Sequence, residues 1–159
     1  MSIEPQAELV RELLILEKLE ADPDINQASI AALLGVAVGT VNWHIRRFVE
    51  KGYIKVKRAQ RRKLRYIITP EGIAFRARLT MNYIEQSMRL YRRIRQRTQE
   101  LLAEVQRAGY RSVQILGNDD IADICRLTCL EQGISISDDP SLPALEIDGT
   151  KVNLKLDGR

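Results

Sequence analysis

From Pro70 to Ala108 the chain has no further proline and no glycine except Gly72. A helix is the regular element suited to so long an uninterrupted run, and its length far exceeds the about 11–12 residues of a mean globular helix. Thr69-Pro70-Glu71 reads as its start, because threonine can accept a backbone bond, proline suits the first helical position and glutamate complements the helix dipole. Gly109 closes it. The helix divides the chain into residues 1–69, 70–108 and 109–159. Its apolar positions Ile73, Ala77, Met81, Ile84, Met88, Tyr91, Ile94, Leu101 and Val105 recur in steps of about three and four, the pattern of a seam for another helix. We therefore expect a coiled-coil homodimer with Ile84, Met88, Tyr91, Ile94 and Leu101 at the subunit contact. Ser87 and Thr98 interrupt the seam, so packing of the helix within its own chain is the alternative.

Ahead of the long helix, Leu9, Val10, Leu13, Leu16 and Leu19 mark an amphipathic scaffold helix over Ala7 to Leu19. Asn26 can cap a short second helix carrying Ile30, Ala31, Leu33 and Leu34, and Gly35 supplies a tight turn before a third, Val38 to Lys51, bearing Val41, Ile45, Phe48 and Val49. Two short helices around one glycine read as a helix-turn-helix, with Ala31 small enough for their close crossing. When Val41, Ile45 and Phe48 turn inward, Gly39, Thr40, Asn42, Trp43, Arg46 and Arg47 turn outward, where a groove-reading helix keeps its contacts. Gly52 ends this helix, and Tyr53 to Lys57 and Leu64 to Ile68 alternate as two strands around the tip Arg58 to Lys63, which makes a wing.

The formal charge is only +4, but it is unevenly spread. Between Arg46 and Arg65 a dense basic block is opposed only by Glu50, whereas the chain beyond Ser112 is acidic, with Asp119, Asp120, Asp123, Asp138 and Asp139 among the contributors. A basic block beside a docking helix points to double-stranded DNA. Asn42 can pair bidentately with adenine, Arg46 and Arg47 can reach guanine edges or phosphates, and Trp43 can meet a base or simply pack. Thr40, at the helix start, suits phosphate. Lys57, Arg58, Arg61, Arg62 and Lys63 are expected on the DNA backbone or in an adjacent minor groove, with a solvated loop as the bland alternative. His44, the single histidine, lacks the partners of a metal or catalytic site and reads as packed or phosphate-facing. Arg89, Arg92, Arg93, Arg95 and Arg97 in the long helix read first as a solvated face.

After Gly109 the sequence suggests a small α/β unit: a strand from Ser112 to Leu116, a helix from Asp119 to Glu131, a strand from Ile134 to Ser137, and a hairpin of Leu145 to Ile147 and Lys151 to Leu156 around Asp148-Gly149. Leu116-Gly117-Asn118-Asp119-Asp120-Ile121-Ala122 sits where a dinucleotide fingerprint would lie. Asp119 stands in place of the middle glycine, adding bulk and negative charge where a pyrophosphate would approach. Asp138 lies about 20 residues beyond, where a ribose-binding acid would be. The unit therefore reads first as a degenerate, Rossmann-like half used for subunit contacts or effector coupling, with Gly117, Asp119 and Asp138 as candidate ligand positions for an unidentified small-molecule effector as the alternative. Cys125 and Cys129, one turn apart, read as small buried thiols, with a redox pair as the alternative. No metal ligand set and no cofactor are expected, and no apolar run approaches the roughly 20 residues of a membrane span.

Gly39-Thr40-Val41, His44-Ile45, Glu50-Lys51-Gly52-Tyr53-Ile54, the basic wing and Ile68-Thr69-Pro70-Glu71-Gly72-Ile73 together resemble the MarR-like winged-helix regulators. The continuation Ala77-Arg78-Leu79-Thr80 is similar to regulators associated with exopolysaccharide gene clusters. The resemblance covers Gln27 to Thr80. It implies a dimer on a near-palindromic site, base contacts from the recognition helix and minor-groove or phosphate contacts from the wing. The expected protein is α+β: an N-terminal winged helix-turn-helix, a long dimerisation helix and a small C-terminal strand-helix-strand unit with a hairpin. The expected function is sequence-specific transcription regulation in the cytoplasm, without enzymatic activity. A nucleotide- or redox-responsive sensor and a non-specific architectural DNA binder are the alternatives.

Overall fold

In the computed structural model, which describes residues 4–60 and 63–156 with side chains from Ala7 onward, the architecture is α+β. Contacts gather into two compact units, Met1–Glu85 and Gln86–Arg159. The boundary falls inside the long helix, whereas the sequence suggested divisions at 69/70 and 108/109.

The first unit contains α1 (Glu4–Ala21), α2 (Gln27–Leu34), α3 (Val38–Glu50), β1 (Ile54–Ala59), β2 (Lys63–Ile68) and the start of α4 (Pro70–Arg107). Asn26 caps α2 by accepting a bond from the Ser29 amide at 2.8 Å, and Gly35 ends it in the left-handed region at φ 63°, which glycine enters without steric cost. The chain turns 115° between α2 and α3, within the range of a helix-turn-helix. Leu13, Ile15, Leu16 and Leu19 of α1 meet Ile30 and Ala31 of α2, Val41, Ile45 and Phe48 of α3, and Ile54 and Tyr66 of the hairpin in one core. Val49, assigned to the apolar set of α3, is exposed instead. The Tyr53 and Phe75 rings stack at 4.2 Å, and Phe48 meets Phe75 edge-on at 6.0 Å, which fastens the first turns of α4 to this core.

The second unit contains the rest of α4, β3 (Ser112–Leu116), α5 (Asp120–Glu131), β4 (Ser135–Ile136), β5 (Ala144–Asp148) and β6 (Lys151–Lys155). The sheet order is β4-β3-β5-β6, with β3 parallel to both neighbours and β6 antiparallel to β5. Asp148 pairs with Lys151, so the hairpin turn is Gly149-Thr150, one residue later than the sequence suggested.

The seam of α4 requires a correction. Ile94 and Leu101, placed by sequence at a subunit contact, are buried with Leu102 and Val105 against Val113, Ile121, Cys125 and Leu145 of their own unit. Thr98, read as a flaw in the seam, is buried too, its hydroxyl donating to the Ile94 carbonyl at 2.9 Å and meeting Cys125 Sγ at 3.4 Å. An apolar stripe records that something covers a helix face, and here the covering layer is local. Of the remaining seam positions, Ile73, Met81, Ile84 and Met88 are exposed and Tyr91 is half-buried.

Candidate nucleic-acid interface

α3 presents Gly39, Trp43 and Arg46 as exposed residues, with Thr40, Asn42 and Arg47 half-buried beside them. Ala37 at its N-cap makes no side-chain cap bond, so the first-turn amides lack the acceptor that a serine or aspartate would supply. The Arg47 guanidinium lies over the Trp43 ring at 5.2 Å and pairs with Glu8 of α1 at 3.6 Å. Trp43 nevertheless remains 52% exposed.

The hairpin register sorts the wing into two faces. Ile54 opposite Ile68, Val56 opposite Tyr66, and Arg58 opposite Leu64 share one face; Lys55 opposite Ile67, Lys57 opposite Arg65, and Ala59 opposite Lys63 share the other. The second face is predominantly cationic, and Lys57 directly opposite Arg65 places like charges in a cross-strand pair, an arrangement that a polyanion relieves. Arg65 pairs with Asp24 at 3.6 Å, while Lys57, Arg58 and Lys63 have no ion-pair partner among the described residues. Arg61 and Arg62, also assigned to the interface from sequence, lie outside the described residues. Of the α4 arginines, Arg95 pairs with Glu131 at 2.8 Å and Arg97 with Glu100 at 3.5 Å.

Sequence reasoning missed the partners of Asn42. Its Nδ2 donates to Gln27 Oε1 at 3.0 Å, and Gln27 Nε2 donates to the Tyr66 hydroxyl at 3.1 Å. These bonds span separations of 15 and 39 positions, so no local pattern announces them.

His44 is packed, only 1% exposed, on the buried face of α3. Its Nδ1 has no hydrogen-bond partner and lies 3.8 Å from a Glu12 carboxylate oxygen of α1, with Trp43 edge-on at 4.8 Å. Burial lowers the imidazole pKa below its ordinary value near 6.5; Arg11 and Arg47 lower it further, while Glu8 opposes them. Burial raises the Glu12 pKa. The unfolded chain therefore protonates His44 more readily than the folded one, and stability from this group is full above pH 6.5 and lost as pH falls below it. Glu12 acts with the opposite sign, its contribution being full below its ordinary 4.5 and lost as pH rises through its raised value. His44→Phe is expected to lose less melting temperature than the wild type between pH 7 and pH 5 in thermal melts. Parallel losses would show that His44 does not govern this window.

The candidate ligand positions of the second unit have local tasks. Asp119 Oδ1 caps α5 by accepting from the Ala122 amide at 2.9 Å, so a carboxylate already occupies the place where an anion would meet the helix. The Gly117 carbonyl accepts from Arg126 at 3.0 Å, and a Cβ on Gly117 would stand 2.8 Å from Ile147 Cδ1; the glycine serves close packing. The Asp138 carbonyl accepts from Gln114 Nε2 at 3.0 Å. Cys125 and Cys129 are fully buried, and burial pushes the Cys129 thiol up to about 11, against the exposed, acidic thiol of a redox sensor. Among the described residues no cluster of three or more His, Cys, Asp or Glu side chains could hold a metal ion, and no single helix is long and apolar enough to cross a membrane.

Residues 10–55 match the family model described as winged helix-turn-helix DNA-binding. No curated protein matches the chain. Similar solved structures include MepR, a transcription regulator of the Staphylococcus aureus multidrug efflux pump MepA, at 23% identity and a TM-score of 0.43 over 50% of this chain. They also include the PcaV transcriptional regulator from Streptomyces coelicolor in complex with its natural ligand, at 20% identity and 0.43 over 54%, and Streptococcus pneumoniae FabT in complex with DNA, at 23% and 0.40 over 50%. The aligned regions span 61%, 58% and 57% of those three chains respectively. Helix order, hairpin register and the matched residues agree on a winged helix-turn-helix DNA-binding domain in the first unit.

Proposed function

We propose that the chain is a sequence-specific, MarR-like transcription regulator that acts in the cytoplasm as a homodimer, with α3 in the major groove and the β1-β2 wing on the backbone or an adjacent minor groove. The observation that carries the DNA-binding part is the junction of the 115° helix pair with a hairpin whose one face is predominantly cationic. An exposed tryptophan and arginine on α3 are suited to base edges, and a helix start without a side-chain cap is suited to phosphate. The dimer reading is supported by Ile73, Met81, Ile84 and Met88, large apolar residues that α4 leaves exposed. Ile94 and Leu101 have no part in it. Regulation rests on the DNA contacts and includes no catalytic step.

The test is fluorescence anisotropy of the full chain on labelled duplexes from its own upstream region and on scrambled duplexes, each across a salt series, with sedimentation of the free protein. Binding to upstream DNA that survives competitor, by a particle of twice the chain mass, is the expected outcome. Equal, salt-sensitive affinity for every duplex favours a non-specific architectural binder instead.

A further inference from the structure

We propose that Gln27 and Tyr66 are positioning residues for Asn42, fixing the orientation of its amide so that preference for one adenine depends on two side chains that do not themselves read the base. The proposal rests on the reading of α3 as the major-groove helix.

The relay is anchored at its far end. The Tyr66 residue is 3% exposed, within the core of the first unit, and its backbone amide donates to the Pro23 carbonyl at 2.8 Å. With the ring held in the core, the hydroxyl oxygen has little freedom to move. That oxygen accepts from Gln27 Nε2, which turns Gln27 Oε1 toward α3, and Oε1 in turn accepts from Asn42 Nδ2. The Asn42 nitrogen therefore faces α2. Its carbonyl oxygen and second amide hydrogen remain available, an acceptor and donor that complement adenine N6–H and N7. Rotating the Asn42 amide alone by half a turn would set its oxygen against Gln27 Oε1; only a concerted flip of Gln27, with the Tyr66 hydroxyl turned donor, would restore the bonds, and Gln27→Glu, which accepts only, removes that option. Without the relay, Asn42 would rotate freely and tolerate several bases.

The same residues line one side of an open cleft of roughly 350 Å³ between α3 and the wing, whose other walls include Val49, Val56 and Leu64. In that largely apolar gap the relay is a directional tie between the reading helix, α2 and β2. An apolar contact could fill the space, but it could not select an amide orientation.

The experiment is selection of bound sequences from a randomised duplex pool, followed by affinity measurements on single-base variants of the enriched site. The full-length proteins are wild type, Asn42→Ala, Tyr66→Phe, Gln27→Leu and Gln27→Glu, each with a thermal melt. Asn42→Ala is expected to lose about ten-fold discrimination at one base pair where wild type prefers adenine. Tyr66→Phe and Gln27→Leu should lose several-fold at that same position and leave the others intact. Gln27→Glu should retain the preference, because one carboxylate oxygen can accept from Asn42 while the other accepts from the Tyr66 hydroxyl. Uniform weakening at every position, tracking a lowered melting temperature, would mark the relay as structural only and overturn the proposal. So would discrimination by Tyr66→Phe and Gln27→Leu equal to wild type, or the absence of any position sensitive to Asn42→Ala. If Tyr66→Phe does not fold, the contrast between Gln27→Leu and Gln27→Glu decides. Failure of wild type to enrich any motif would appear before the variants are compared, and would overturn the specific-regulator reading itself.

Discussion

Gly72→Ala is expected to destabilise the first unit by about 2–3 kcal/mol, the upper range for overpacking a filled site. Gly72 sits in the first turn of α4, and its amide donates to Thr69 Oγ1 at 3.0 Å. A Cβ there would press on the Tyr53 carbonyl oxygen and stand 2.8 Å from Ile68 Cγ2. The same carbonyl accepts from the Thr69 amide at 3.0 Å, and the Thr69 hydroxyl donates to the Gly52 carbonyl at 2.6 Å. The clash would therefore be with backbone pinned on both sides, which cannot yield as a flexible side chain would. Gly39→Ala is the control, since nothing lies within 4 Å of a Cβ there, and alanine in the first turn of α3 should be neutral or mildly stabilising. Urea unfolding of the two variants checks the contrast. Equal midpoints would mean that the entry to α4 relaxes at little cost.

Replacing Lys57, Arg58, Arg61, Arg62 and Lys63 together by glutamine should weaken DNA binding by roughly three orders of magnitude near physiological salt, if each side chain neutralises one phosphate. The slope of log affinity against log salt should fall by about 0.9 for each lost contact. Lys57, Arg58 and Lys63 have no ion-pair partner among the described residues to lose, so the change should leave the fold largely undisturbed. Anisotropy titrations across a salt series measure both quantities. An unchanged slope would remove the wing from the interface and leave α3 to bind alone.

Much of the first unit was legible because its signals are local. Asn26 as a cap, Gly35 and Gly52 as helix ends, and the two strands of the wing each need only a few neighbouring residues, and the structure has all of them; the strands run further than expected, from Ile54 to Ala59 and from Lys63, so that Arg58, Ala59 and Lys63, assigned to the tip, pair within the ladder. The small sheet of the second unit was readable for the same reason, down to a one-residue shift in its last turn. Asp119 shows how far local reading goes: its bulk and charge speak against a phosphate loop from the sequence alone, and the structure adds its task, closing its own helix end by accepting from the Ala122 amide.

What the order of residues settled, then, was which segments become helix, which become strand, and where cationic charge accumulates. These depend on periodicity, capping chemistry and charge along the chain. Three-dimensional packing settled which surfaces are used up internally: Ile94 and Leu101 in the core of the second unit, His44 on the buried face of α3, and Asn42 bonded to Gln27 and, through it, to Tyr66. An apolar or polar side chain carries no mark of its partner. The partner is whatever the fold brings within reach, and for Asn42 it comes from residues 15 and 39 positions apart along the relay.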